Sequence, residues 1–185
     1  MFDFERMIPE KTAEVTVTRR QAQRAEDRRR DIYDSHRHRT FGIAYYMTGN
    51  EVEAEKILTS TFVRAFSAAE EPGGPDVDAA LISELGARFP LNAQTPTVTQ
   101  EYAAAGGPDL SQRNIRRTDL EEALTTLPAA ERLLFLLHDV ESYTPAAIAQ
   151  LMQLPEARVN RSLISARILL RRALTEVREV RERAA

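Results

Sequence analysis

The sequence predicts an all-α fold, two small helical domains joined by a linker. Apolar residues recur at helical spacing in two separate stretches, and glycine and proline stand where helices begin or end. No pair of alternating segments reads as a strand hairpin, and no internal repeat is present.

Residues 1–17 lack helical periodicity and read as an N-terminal extension. Thr18-Arg19-Arg20-Gln21 has the pattern of a capping box, so a helix can start there. Its first turns, QAQRAEDRRR, are charged nearly all round and predict a solvated extension; the arginine run at 19–30 could also touch nucleic acid or a protein partner. A buried face begins only after residue 31, with Ile32, His36, Ile43, Ala44 and Met47. Gly49 occupies the position of a C-terminal cap. A second helix follows with Ala54, Ile57, Leu58, Thr61, Phe62 and Ala65 on one face, which completes an antiparallel hairpin. Glu70 to Pro75 is a break, and residues 77–89 form one further helix with Leu81, Ile82, Leu85 and Phe89 apolar. The first domain therefore covers 18–90. The linker covers 91–117, with Pro96, Gly106, Gly107 and Pro108.

The second domain, 118–185, predicts helices at 119–127, 129–141, 145–152 and about 156–182. Thr144-Pro145 is an N-cap followed by proline in the first helical position. Only Gln153-Leu154-Pro155 separates the last two helices. With Ile148, Ala149, Met152, Leu154, Val159 and Leu163 apolar, the pair is a helix-turn-helix. The small Ala149 lets the two helices cross closely.

Net charge is −3 over 185 residues, so a nucleic-acid footprint has to be local. It is found on the last helix, where residues 158–183 hold eight arginines against three glutamates. The second helix of such a unit can lie in the major groove. Here it is expected to expose Arg158, Asn160, Arg161 and Ser165, then Arg167, Arg171 and Arg172. Arginine bonds guanine in bidentate fashion or sits on phosphates.

Several classes are excluded. The chain has no cysteine, so disulfides, thiolate metal sites and cysteine catalysis are out. His36 and His38 stand two residues apart and point to different helix faces, which argues against a shared metal. His138 reads as a packing residue with a polar tip. No Ser-His-Asp grouping or phosphate-cradling glycine loop is present, so neither an enzyme nor a cofactor is expected. No apolar run is long enough for a membrane span and the N-terminus lacks signal-peptide order; the expected location is the cytoplasm, without membrane insertion.

The segment LEEALTTLPAAERLLFLLHDVESYTPAAIAQLMQLPEARVNRSLISARILLRRAL resembles region 4 of extracytoplasmic-function (ECF) sigma factors, members of the sigma-70 family. The resemblance rests on the Leu-Pro before the long helix, Val140-Glu141, Ile148-Ala149, Val159, Leu163 and Ala166-Arg167. The earlier stretch IYDSHRHRTFGIAYYMTGNEVEAEKILTSTFVRAF resembles the start of region 2 in the same family. There Thr48-Gly49, Ala54-Glu55 and Phe62-x-Arg64-Ala65-Phe66 fall in register.

This resemblance implies a region 2-like helical bundle and a region 4-like helix-turn-helix that bind core RNA polymerase and promoter DNA. Region 2 would grip the polymerase clamp through Glu55, Lys56, Thr59, Ser60 and Phe62 and melt the −10 element. Region 4 would read the −35 element through Arg158, Asn160, Arg161, Ser162, Ser165 and Arg167. The resemblance brings no catalytic chemistry.

The sequence departs from the family pattern at four places. Lys56 stands where relatives are acidic, with Thr59 and Ser60 in place of Gln-Glu. The stretch that should melt promoter DNA, DVDAALISELGARFPLN, offers only Arg88 and Phe89, and the chain has no tryptophan to stack on a base. In region 4, Asn160-Arg161-Ser162 and Ile164-Ser165 replace more basic runs, and Gln153 replaces a glycine in the turn. Two readings follow. One is a divergent sigma factor that directs promoter-specific initiation. The other is a sigma-like, non-initiating protein, either a decoy for an anti-sigma factor or a stand-alone helix-turn-helix regulator.

Overall fold

The computed structural model describes residues 10–69, 71–92 and 115–184, with side chains from 21 to 176 within those ranges. The described residues form helices and contain no strand. In order they are α1 (Glu10–Thr48), α2 (Glu51–Ala68), α3 (Gly74–Gly86), α4 (Arg117–Thr126), α5 (Ala129–Phe135), α6 (Pro145–Met152) and α7 (Glu156–Ala184).

Helix α1 starts earlier than the capping-box pattern indicates, so residues 10–17 are helical and not an irregular extension. No glycine or proline interrupts 10–41. Threonine and valine lower helix propensity by only a few tenths of a kcal/mol each, roughly, so the helix runs through them. Residues 21–31 are exposed all round, and the buried face appears from Ile32 onward as expected. Gly49, at φ +66°, ends the helix and donates its N–H to the Tyr45 carbonyl. Asn50 then caps α2 by accepting from the Glu53 N–H at 3.1 Å.

Helix α3 also begins ahead of expectation, at Gly74, because Pro75 sits in its first turn, where a missing N–H does no harm. The Gly73 N–H is met by the Asp76 carboxylate at 2.8 Å. Of the expected linker, residues 93–114 lie outside the described residues; Leu91 is buried in the core and Arg117 opens α4.

Helix α5 ends in a single π-helical turn, Leu136–Val140, closed by a bond from the Glu141 N–H to the Leu136 carbonyl. Ser142, at φ +61°, turns the chain toward α6, which Thr144 caps by accepting from the Ala147 N–H at 3.1 Å. Gln153 follows α6 with φ +54°, the left-handed conformation that the missing glycine would have relieved. Gln153→Gly is expected to stabilise the fold by about 0.5–1 kcal/mol, read from urea denaturation; no gain would mean the side chain compensates the strain.

The two helical units share one large core. Ile43, Ala44 and Met47 of α1, Ile57 of α2 and Leu81 and Leu85 of α3 join Leu124, Leu133, Leu137, Ile148, Val159 and Leu163 in a continuous cluster. A smaller cluster of Phe62, Ala65, Val77 and Ala80 closes the far end of the first unit. Arg132 on α5 crosses the seam. Its guanidinium donates to the Met47 carbonyl at 2.8 Å, the Leu127 carbonyl at 2.9 Å and the Thr125 carbonyl at 2.5 Å. Those oxygens lie at the C-terminal ends of α1 and α4, where carbonyls lack helical partners and positive charge is favoured.

Candidate nucleic-acid interface

Helices α6 and α7 meet across the turn at Gln153, Leu154 and Pro155. The Leu154 N–H bonds the Ala149 carbonyl at 2.9 Å, and Ile148 fills the crossing with no exposed surface. Helix α7 packs against α4, α5 and α6 together, so its buried face is broad. Val159, Leu163, Ala166, Leu170, Ala173 and Leu174 point inward along it.

That breadth corrects two expected DNA contacts. Ser162 and Ser165 are buried, at 5% and 6% exposure, and cannot reach a duplex from this position. Ser162 lies beside the Val159–Ala166 stripe. Ser165 lies on the same side of the helix as Leu169, a partly buried residue packed on the core.

The outward stripe is Asn160, Ile164, Arg167 and Arg171, at i, i+4, i+7 and i+11, with Arg161 beside it. Arg161 Nε rests 3.3 Å from the Ala157 carbonyl one turn back, leaving the rest of the guanidinium directed outward from an exposed residue. Arg167 is engaged by Asp139 of the π-turn, with Nη2 2.7 Å from Oδ1 and Nε 3.2 and 3.3 Å from the two oxygens. His138 Nδ1 lies 3.5 Å from the same guanidinium. Arg158 is half-buried and donates to the Asn92 carbonyl at 3.4 Å. Arg172 pairs with Glu176 at 2.7 Å.

Ile164 was not among the expected contacts, yet it is 56% exposed in the middle of this stripe. Its signal in the sequence is its helical phase, shared with Asn160 and Arg171. A stripe with an amide, an exposed branched alkyl group and arginines can meet adenine edges, thymine methyls, guanine edges and phosphates.

On the first unit, Glu55, Lys56 and Thr59 are exposed on α2 and Ser60 is half-buried. Phe62 is corrected: it is 4% exposed, packs edge-on to Tyr33 at 4.8 Å, and belongs to the small core instead of a polymerase-facing surface. Lys56 bridges to Glu53 at 2.7 Å, and that ammonium holds the Glu53 carboxyl below its ordinary range, first by hydrogen bond and then by charge. Val52 and Val63, at 60% and 62% exposure, extend the same outward face and escaped sequence reasoning.

Both candidates for gripping single-stranded DNA are engaged within the fold. Arg88 donates to the Glu84 carbonyl at 2.8 Å and carboxylate at 2.9 Å, and Phe89 packs against the large core. Arg64 shares the Glu84 carboxylate, and hydrogen bonds from Arg88 and Arg64 hold it below the ordinary carboxyl range despite burial.

Among the described residues no cluster of three metal-binding side chains occurs, and no helix is long and apolar enough to cross a membrane. The geometry from α4 through α7 is that of a helix-turn-helix with a polar, arginine-bearing outer face. Residues 117–176 match the family model described as Sigma-70, region 4. That segment is therefore similar to sigma-70 region 4, a likeness that points to a DNA-binding, sigma-type role in transcription. No curated protein matches the chain.

Proposed function

We propose that the protein is a divergent ECF-type sigma factor that binds core RNA polymerase and directs it to a set of promoters from the cytoplasm, with no catalytic step of its own. The observation that carries this reading is the region 4 match over a helix-turn-helix whose second helix turns Asn160, Arg161 and Arg171 outward. In this reading α7 reads the −35 element through Arg158, Asn160, Arg161 and Arg167. Glu55, Lys56, Thr59 and Ser60 form the polymerase-facing surface of α2.

A second reading has its own support: Arg88, paired with Glu84, and Phe89, packed on the large core, leave the first unit poorly equipped to hold a melted strand. The chain would then be a sigma-like protein that does not initiate, acting as an anti-sigma decoy or as a stand-alone DNA-binding regulator. Co-elution of the purified protein with bacterial core RNA polymerase on a sizing column separates the two. Stable co-elution supports the sigma factor; a folded protein that elutes alone supports the second reading.

Arg161→Ala is expected to weaken specific DNA binding by about 1–3 kcal/mol if this side chain reads a base. An equal loss on every duplex would make it a phosphate contact. Unchanged binding would remove α7 as the reader.

A further inference from the structure

Helix α5 does not end as an α-helix, and the way it ends places a carboxylate against the outer face of α7. Val140 stands three residues after Leu137 and four after Leu136, both buried, so an α-helical turn would bury it as well. The π-turn at Leu136–Val140 widens that last turn and leaves Val140 51% exposed. Such turns are frequent at functional sites. Asp139, on the same turn, bonds Arg167 of α7, 28 positions along the chain.

Asp139 engages the guanidinium from the side, accepting from Nε–H and from one Nη2–H. Of the five N–H donors of an arginine three are left, among them the Nη1–Nη2 fork at the tip. Such a fork can meet guanine O6 and N7 together. His138 Nδ1, at 3.5 Å, is too far away to compete strongly for Nη2. Arg167 shares its stripe with Asn160, Ile164 and Arg171, so the tip is presented beside them. For bulk affinity a carboxylate is misplaced here, since a duplex carries a negative charge about every 1.7 Å of its axis. Arg172 also pairs, but with Glu176 one turn along its own helix, where both side chains are 61% exposed and water screens them. The Asp139 side chain is 26% exposed and ties two helices.

We propose that Asp139 is a positioning residue for base recognition: held side-on by its carboxylate, Arg167 presents its terminal fork to a guanine edge instead of binding a phosphate. The inference rests on the reading of α7 as the DNA-reading helix and names a residue, off that helix, that sets its specificity. Fixing the side chain before binding spares the rotamer freedom that an unpaired arginine loses on contact. The same carboxylate works against wrong sequences. Where no guanine stands opposite, the pair is desolvated with no acceptor to offset the cost.

The test uses the full chain to select short duplexes from a library with a randomised core, and the enriched sequences give its base preferences. Asp139→Asn keeps the shape but turns an amide N–H toward the guanidinium. It is expected to reduce the preference for guanine at one base pair about tenfold, with the other positions unchanged. Binding to an unselected duplex should tighten, and its salt dependence should steepen by about one phosphate contact. Asp139→Glu keeps the charge at a different reach, so it should lose the same preference without the change in salt dependence. Arg167→Lys loses the fork and should lose that preference too; adding Asp139→Asn to it should lose nothing further. Tighter binding with every base preference intact would overturn the proposal and leave Asp139 a repelling charge only. Equal loss at every position would also overturn it, because a brace for the whole unit gives that result. A parent that binds duplex but enriches no motif reads no base, and the inference fails alone. A parent that binds no duplex sinks the DNA-binding reading itself, and the inference goes with it.

Discussion

Arg132→Met is expected to lower the unfolding free energy by about 3–5 kcal/mol, because it leaves three carbonyl oxygens at two helix ends without their donor. Methionine fills most of the space of the arginine stem, so the loss comes from the acceptors and not from a void. The guanidinium is buried, and that burial pulls its pKa below the usual arginine range; its charge is offset by the carbonyl dipoles around it. Lysine should recover only part of the loss, since a single ammonium cannot reach Met47, Thr125 and Leu127 with the same planar fork. Urea denaturation followed by circular dichroism measures the effect. The parent should unfold in one transition, and Arg132→Met should broaden or split it, because the arginine ties acceptors in both units. A loss below about 1 kcal/mol would mean that water replaces the guanidinium without penalty.

The second large effect is expected at Ile148→Ala, with a loss of about 3–4 kcal/mol. Ile148 has no exposed surface and stands where α6 crosses α7, with Ala149 and Val159 in the same cluster. Removing its branched side chain forfeits both the transfer free energy and contacts that neighbouring side chains cannot regain. Ile148→Val should cost about 1 kcal/mol. Ile164→Ala is the internal contrast. It removes the same atoms from an exposed position and should change stability by no more than about 0.5 kcal/mol, while weakening any DNA contact it makes. If Ile148→Ala and Ile164→Ala lose equal stability, the assignment of inner and outer faces on this unit is wrong.

Much of the fold was legible because helices announce their own ends. Gly49, Thr144-Pro145 and the short turn at Gln153 placed boundaries within a few residues, and the apolar spacing of α2 matched its buried face. The start of α1 was less legible, since a capping pattern marks where a helix can begin and not where it must. The buried Ser162 and Ser165 show a different limit. A helical wheel gives the centre of a buried face, while its width depends on how many neighbours press on it, and α7 has three. Phe62 could have been read correctly, because the same spacing that placed it on the buried face of α2 argued against an outward role.

The union of the two units was not legible at all. A stretch rich in glycine, proline and small residues between 90 and 117 reads as a spacer, and nothing local says that Met47 and Leu133 will share a core. Arg132 did carry a faint signal, an arginine inside a run of buried leucines that has to find acceptors somewhere. The hydrogen-bonded group of Tyr143, Asp78 and Arg39 carried none, because it is made by tertiary structure across 65 and 104 positions of sequence.

The shared core also has a consequence during synthesis. When α3 has left the ribosome, Ile43, Met47, Ile57, Leu81 and Leu85 still lack the leucines of α4, α5 and α7 that will cover them. The last of those residues, Leu174, lies about 80 positions beyond Leu91. At 5–20 residues per second the nascent chain therefore carries uncovered apolar surface for about 4–16 s. During that interval its protection falls to chaperones, and a gene truncated after α3 should yield aggregates where the whole gene yields folded protein.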